Sequence, residues 1–429
     1  MSKICIKGGH IIDPANKTDA VGDVLVDRGK IVAVGENIDC GDALSIDASD
    51  RIVAPGLIDM HVHLREPGRE DEETISSGTR AAAKGGFTSL ACMPNTNPVA
   101  DTASVVEMIL EKARDEGVVN VFPVAAITKG QEGQELVEMG DLSRLGVVGF
   151  SDDGKSVMNA RVMRRAFEYN RMFDQPLILH EEDTNLFANG QMNEGYYSTI
   201  LGLKGIPAAS EEVLIARDLS LAKLTGSKVH ITHISTRGSV DLIRRAKKEG
   251  IQVTCDVTPH HLILTEKSLT DYDTNCKVNP PLRAEADIKA LRKGLADGTI
   301  DAIASDHAPH ARHEKEREFV YAPFGLIGME TTLPIILTKV VGSEGLSLSD
   351  VIAKLTHNPA QILGVPKGSL SPGADADILV FDDRNKVKVD SEKFESKSRN
   401  CPFHDWELQG VVKHVLVRGN VVVEDGKII

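Results

Sequence analysis

Asp59-Met60-His61-Val62-His63-Leu64-Arg65-Glu66-Pro67-Gly68 is the stretch from which the architecture of this chain can be read. The residues before it, Arg51-Ile52-Val53-Ala54-Pro55-Gly56-Leu57-Ile58, are largely apolar and read as a buried strand. A strand repeats every two residues, so His61 and His63 point to one side, where both rings can grip one cation. Arg65 shares that parity just past the strand end, which puts an anion-binding guanidinium beside the pair. Surface histidines or a purification tag also give such repeats, but a tag is longer and terminal.

Outward from this stretch, residues 56–362 alternate short apolar strands with helical stretches. Thr88-Ser89-Leu90-Ala91-Cys92-Met93 precedes a helix expected near Ala103–Glu116, with apolar positions at Val105, Val106, Ile109 and Leu110. Further strands are expected at 119–126, 147–150, 176–179, 228–231, 251–257 and 301–304. With the one ending at His63 they make eight, the grammar of an α/β chain forming a (β/α)8 TIM-type barrel. A doubly wound sheet is the alternative, but no Gly-rich phosphate loop follows any strand. Short β-branched runs flank this region: Asp23-Val24-Leu25-Val26 and Lys30-Ile31-Val32-Ala33-Val34 before it, and Ala376-Asp377-Ile378-Leu379-Val380-Phe381 after it. Each set is too small to close a core alone, so both ends are expected to build one small β-sandwich. The expected division is 1–55 and 363–429 for the sandwich and 56–362 for the barrel.

A net charge of -14 leaves no basic stripe for nucleic acid or an anionic membrane surface. Met1-Ser2-Lys3-Ile4-Cys5-Ile6-Lys7 runs into a strand pattern without a signal-peptide core, and no apolar run is long enough to span a bilayer. The six cysteines are scattered without a C-x-x-C pair, which reads as reduced thiols in a cytoplasm rather than a disulfide framework.

In such a barrel the C-terminal strand ends converge on the site. The polar residues at those ends are His61 and His63, Asp152-Asp153, His180, His233 and Asp306. From His61 to Asp153 there are roughly thirty residues for each of three βα units, the length such a unit needs. His180 follows one unit later, and the wider gap to His233 calls for an insertion around 185–207. Alone, His180 or His233 reads as a hydrogen-bonded core residue, and Asp153 as a helix N-cap. Together, four imidazoles and two carboxylates make the ligand set of a borderline divalent metal such as Zn²⁺, and six ligands suit two ions sharing a bridge. Two Zn²⁺, two carboxylates and a bridging hydroxide leave about one positive charge to attract an anionic substrate. That bridging water would be acidified towards ~7 and serve as nucleophile. Asp306 is placed to take its proton and pass it to a leaving nitrogen, a shuttle typically worth ~10²–10⁴-fold in rate. His230, of opposite strand parity to His233, reads as a bystander.

These residues resemble the amidohydrolase superfamily. The longer phrases, 59–68 and Ala304-Ser305-Asp306-His307-Ala308-Pro309-His310, are similar to the two signatures of the dihydroorotases, in their bacterial type I class. Met93-Pro94-Asn95-Thr96, Thr258-Pro259-His260-His261-Leu262 and Asn279-Pro280-Pro281-Leu282-Arg283 agree in order and spacing, so the resemblance runs nearly the whole chain. It implies one zinc held by His61, His63 and Asp306, a second held by His180 and His233, and Asp153 bridging both. Hydantoinases and type II dihydroorotases bridge with a carboxylated lysine instead. Gly149-Phe150-Ser151-Asp152-Asp153 offers no lysine at the strand end, and Lys155 lies beyond it.

The implied reaction is reversible closure of N-carbamoyl-L-aspartate to L-dihydroorotate and water, in pyrimidine (UMP) biosynthesis. Arg65 would bind the substrate carboxylate with Asn95 and His310, and Asn279 would recognise the ring amide. Phe324 and Gly325 would present backbone groups to the ring, and His63 would also touch substrate. Asp306 is the implied general acid and base. The resemblance further implies a homodimer and association with aspartate transcarbamoylase. Alternatives are an allantoinase or hydantoinase, whose neutral ring fits Arg65 with Asn95 less well, and an inactive scaffold subunit, which would have lost ligands. The charged stretch from His310 to Phe319 reads either as a solvated loop or as a mobile lid. His260 and His261 read as supports of the metal site or of the turn after strand seven.

Overall fold

The computed structural model describes residues 3–429; Met1 and Ser2 of the expected 1–55 segment lie outside the described residues. The chain is α/β. A parallel sheet joins Leu57–Val62, Phe87–Cys92 and Asn120–Pro123, and a second parallel sheet joins Leu177–Leu179, Val229–Ile231, Val253–Val257 and Ala302–Ile303. Every one of these strands is followed by helix. Ala103–Glu116 is helical as its periodicity predicts, with Val105, Val106 and Ile109 buried against the sheet.

The expected strand at 147–150 is reduced to a bridge at Phe150, parallel to Ala125 on one side and to Leu177 on the other. The segment still donates and accepts on both edges: Val148 N to Pro123 O at 3.0 Å, Ala125 N to Gly149 O at 3.1 Å, and Ile178 N to Phe150 O at 2.8 Å. Its neighbours Pro123 and Pro176 bring no N–H, so no regular ladder can run through it. A further parallel bridge couples Val62 to His307, with His63 N donating to His307 O at 2.9 Å.

Arg51–Ile58, expected as one strand, is two. Ile52–Pro55 pairs with Ile378–Lys388 in another sheet, and Leu57–Val62 starts the parallel one. Gly56 makes the transfer because nothing larger fits: a Cβ there would sit 2.1 Å from the Thr88 side chain. The sequence before Gly56 and after residue 377 comes together as a single nine-stranded sheet. One face has its own core of Ile4, Ile6, Val24, Val26, Ile378, Val380 and Leu416. The other face, through Ala54, Leu379, Phe381 and Val415, joins the core of the central region.

One expectation is corrected here. Cys5 and Cys40 are joined as a disulfide, with Cα atoms 5.9 Å apart, while Cys92, Cys255, Cys276 and Cys401 are free and buried. Ile4–Asp13 pairs in parallel with Leu44–Asp47, so the chain must return across Cys5 and brings Cys40 under it. Spacing along the sequence does not reveal a pair created by sheet register. The insertion expected at 185–207 is present as two short helices, Thr184–Phe187 and Tyr196–Leu201, around the strand pair Met192–Asn193 and Gly205–Ile206. No helix among the described residues is long and apolar enough to cross a membrane.

Candidate metal centre and substrate groups

His61 lies inside the first parallel strand and His63 one residue beyond its end, so the two-residue period turns both rings inward. Their ring centroids are 5.2 Å apart, and both residues are buried. His61 Nε2 lies 3.4 Å from Asp153 Oδ1 and 3.6 Å from Asp306 Oδ1. His63 Nε2 lies 3.2 Å from Asp306 Oδ1 and 3.6 Å from Asp153 Oδ2. His233 Nε2 and His180 Nδ1 stand 3.7 and 3.8 Å from Asp153 Oδ1, and 3.0 Å from each other. All six expected ligands are therefore drawn together at the C-terminal ends of the strands. Among these six, two trios have donor atoms close enough for one ion, His61–His63–Asp306 and His61–Asp153–His233; His180 adjoins the second through His233.

Hydrogen bonding tests whether a cation fits. Thr232 Oγ1 donates to Asp256 Oδ2 at 3.0 Å, so it must accept from His61 Nδ1 at 2.7 Å. His63 Nδ1 likewise donates to Asn95 Oδ1 at 2.9 Å. Both Nε2 atoms then turn lone pairs towards carboxylates, an arrangement that needs a positive charge between them. His61 Nε2 and Asp153 Oδ1, which face each other across the cluster, are buried without a hydrogen-bond partner, as unfilled ligand atoms would be. The donor set fits Zn²⁺.

The titration behaviour agrees. Burial opposes a charge on His61, yet Asp153, and after it Asp306 and Asp256, raise it to about 10: the position holds a proton when nothing else positive is there. Burial, opposed by the Asp306 hydrogen bond and reinforced by Arg65, lowers His63. Burial and His233 lower His180 to about 4. Asp153 and Asp306 are held below the carboxylate range, burial being outweighed by the histidines around them. His233 and Asp306 also have left-handed backbone, φ 38° and 48°, as does Arg65 at 62°. Such strain concentrates where side chains must be aimed.

The expected substrate groups lie on the same side. Buried Arg65 donates from Nε to Pro309 O at 3.0 Å, and its Nη2 is 3.4 Å from His310 Nε2. His310 Nε2 donates to Phe324 O at 2.8 Å. Gly325 has φ 135°, and a Cβ on it would meet His310 Nε2 at 3.0 Å, so only glycine fits. Asn95 is committed to His63, while Asn279 keeps its buried side-chain oxygen without a partner.

The sequence reading overlooked Glu72 and Asp256. Glu72 pairs with Arg65 Nε at 3.0 Å and lies 3.6 Å from His310 Nδ1. Asp256 accepts from Thr232, from His233 N at 2.7 Å and from His230 Nε2 at 2.8 Å, so His230 helps seat the carboxylate behind two ligands. His261 is held by Thr258 Oγ1 and donates to Pro280 O at 2.9 Å, a turn-supporting role. In the charged stretch after His310, Lys315 and Phe319 are buried while Arg317 and Glu318 face solvent. Of Glu72 and Asp256, only Asp256 had a legible signal, as an acidic residue inside an apolar strand; Glu72 makes its contacts from a turn, and His230 is misread as a bystander because its partner lies on the neighbouring strand.

Comparison with known proteins fits this geometry. A family model described as dihydro-orotase-like matches residues 50–239, and one described as the amidohydrolase family matches 220–423. A dihydroorotase of Pelotomaculum thermopropionicum is 53% identical over 423 residues, covering 99% of both chains. One from Acetivibrio thermocellus is 50% identical over 420 residues, covering 98% of this chain and 99% of that one. Among solved structures, L-hydantoinase (dihydropyrimidinase) from Arthrobacter aurescens superposes with a TM-score of 0.90 at 26% identity, covering 100% of this chain and 98% of that one. Half of the residues are shared along nearly the entire length with proteins of one name, and on that basis the chain belongs to the dihydroorotase family of amidohydrolases.

Proposed function

We propose that the protein is a zinc-dependent dihydroorotase that interconverts N-carbamoyl-L-aspartate with L-dihydroorotate and water. The observation that carries the reading is a cation-demanding cluster, His61–His63–Asp306 beside Asp153, next to the buried Arg65–His310 pair that suits a carboxylate. His61, His63 and Asp306 would hold one zinc, His180 and His233 a second, with Asp153 between them. Bound there, zinc supplies a Lewis acid that polarises the ring carbonyl and acidifies water.

The chain's own residues do the rest. Arg65 and His310 hold the carboxylate, so that the ring meets the strand ends in one orientation. Asn95 fixes the tautomer of His63. Asp306, kept ionised by the surrounding histidines, accepts the water proton on a carboxylate oxygen and delivers it to the departing amide nitrogen. Asn279 offers its unpartnered oxygen to a ring N–H, and Phe324 and Gly325 line the ring.

In this reading the two parallel sheets and the bridges at Phe150 and at Val62–His307 make one closed eight-stranded barrel over 56–362. The nine-stranded sheet of 1–55 and 363–429 would fold over as a sandwich. A homodimer, association with aspartate transcarbamoylase and a cytoplasmic location belong to the same proposal. The test is turnover of both compounds by the purified, zinc-replete chain. Turnover in both directions, lost on chelation, supports it; hydrolysis of neutral hydantoins with L-dihydroorotate untouched would replace it with a hydantoinase.

A further inference from the structure

Segment 319–325, which carries Phe324 and Gly325, contains neither helix nor strand, yet its backbone oxygens are almost all taken. Lys277 Nζ donates to Phe319 O at 2.7 Å, Val320 O at 3.2 Å and Ala322 O at 2.7 Å. Lys315 Nζ donates to Pro323 O and Gly325 O, each at 2.9 Å. With His310 on Phe324 O, Tyr321 alone in the segment keeps a carbonyl outside this set. Asn400 adds a second bond to Gly325 O at 3.1 Å.

Lys277 uses all three hydrogens of an ammonium, which a neutral amine could not match. Its Nζ also lies 5.1 Å from the Phe319 ring centroid and 4.8 Å from that of Phe324. Both lysines are buried, and neither has a carboxylate within ion-pairing distance among the described residues. Charges buried in this way are compensated by the carbonyl dipoles they collect. The compensation works in both directions. Phe324 O already sits on His310 Nε2, and unpaired carbonyls elsewhere in the same loop would add negative dipoles unfavourable to a carboxylate; the hydrogen bonds from Lys277 and Lys315 occupy them instead.

We propose that Lys277 and Lys315 are positioning residues for the anionic ring: they clamp 319–325 by its carbonyls, fix Phe324 and Gly325 against His310, and cancel the loop's negative dipoles. The substrate part of this inference rests on the dihydroorotase reading; the clamp does not.

The experiment compares the zinc-replete full chain with its Lys277→Met and Lys315→Met variants, by amide hydrogen exchange at Tyr321, Ala322 and Gly325, whose N–H groups are bonded to Glu318 O and Lys277 O, and by kcat and KM for L-dihydroorotate. Exchange at least tenfold faster at those amides, with helix Met329–Lys339 unchanged, is expected together with a KM raised at least fivefold and kcat within twofold. Unchanged exchange, or faster exchange with an unchanged KM, overturns the proposal. So does a loss confined to kcat. Should neither variant fold, the unmodified chain decides: slow exchange at Tyr321, Ala322 and Gly325, comparable to the helix, supports the clamp, and exchange within seconds at all three overturns it. Absence of dihydroorotate turnover in the unmodified chain would sink the dihydroorotase reading while leaving the exchange result to judge the clamp.

Discussion

His61 is aimed by buried residues behind its ring. Its Nδ1 proton goes to Thr232, Thr232 passes its own to Asp256, and Nε2 is left to face Asp153 and Asp306. Thr232→Val keeps the shape and removes the relay, so zinc should bind roughly 10–100-fold more weakly, read by competition with a chelating dye. Undiminished affinity would mean that strand geometry alone orients the ring. Asp306→Asn should leave the circular dichroism spectrum intact and nearly abolish turnover; kinetics like the parent's would remove Asp306 from proton transfer. Arg65→Met should act chiefly on KM for N-carbamoyl-L-aspartate, and a constant KM would place the carboxylate elsewhere. At this scale the sequence exposes the candidate ligands well, because His61, His63, Asp153, His180, His233 and Asp306 are metal-binding residue types at the ends of barrel-type strands. It hides Lys277 and Lys315, whose partners are the backbone oxygens of 319–325 rather than side chains, and Glu72, which disappears into a charged run.

Among the elements, the helix Ala103–Glu116 is legible because apolar positions every three or four residues can be buried in only one way. The segment 147–150 looks like an equal of the other strands and is not, because ladder formation depends on prolines in two neighbours distant in sequence. The apolar run through Gly56 hides a change of sheet for a similar reason: periodicity reports burial, not the partner that buries. Gly56 therefore gives a sharp test. A methyl group there would force Thr88 away and separate Leu57–Val62 from Phe87–Cys92, the pair that fixes His61. Gly56→Ala should cost about 1–3 kcal/mol in urea unfolding, the usual range for overpacking. A midpoint unchanged within error would show that Thr88 can turn aside freely.

For the molecule as a whole, the terminal sheet is fastened to the catalytic region by charge as well as by apolar contact. Asp377, almost fully buried, accepts from Asn120 Nδ2 at 3.0 Å, Lys367 Nζ at 2.7 Å and Arg418 N at 2.7 Å. Asn120 belongs to the parallel sheet, and Arg418 adjoins the strand Glu407–Val417. Asp377→Ala leaves Lys367 buried beside Asp375 alone, and about 3–5 kcal/mol should be lost, measured by thermal unfolding of the zinc-loaded chain. Two separate transitions in that variant would show the terminal sheet unfolding by itself. Composition and spacing announced that both ends of the sequence are strand-rich; which strand meets which lies in register, and register is written in three dimensions.

The pairing of Ile52–Pro55 with Ile378–Lys388 also sets a timetable. Some 320 residues separate these partners, and at roughly 5–20 residues per second a ribosome needs from about 16 seconds to a minute to make them. Throughout that interval the early strands exist with an open edge at Ile52–Pro55, a template for any extended chain nearby. The early strands stay open to chaperones and to aggregation until Ile378–Lys388 has been translated.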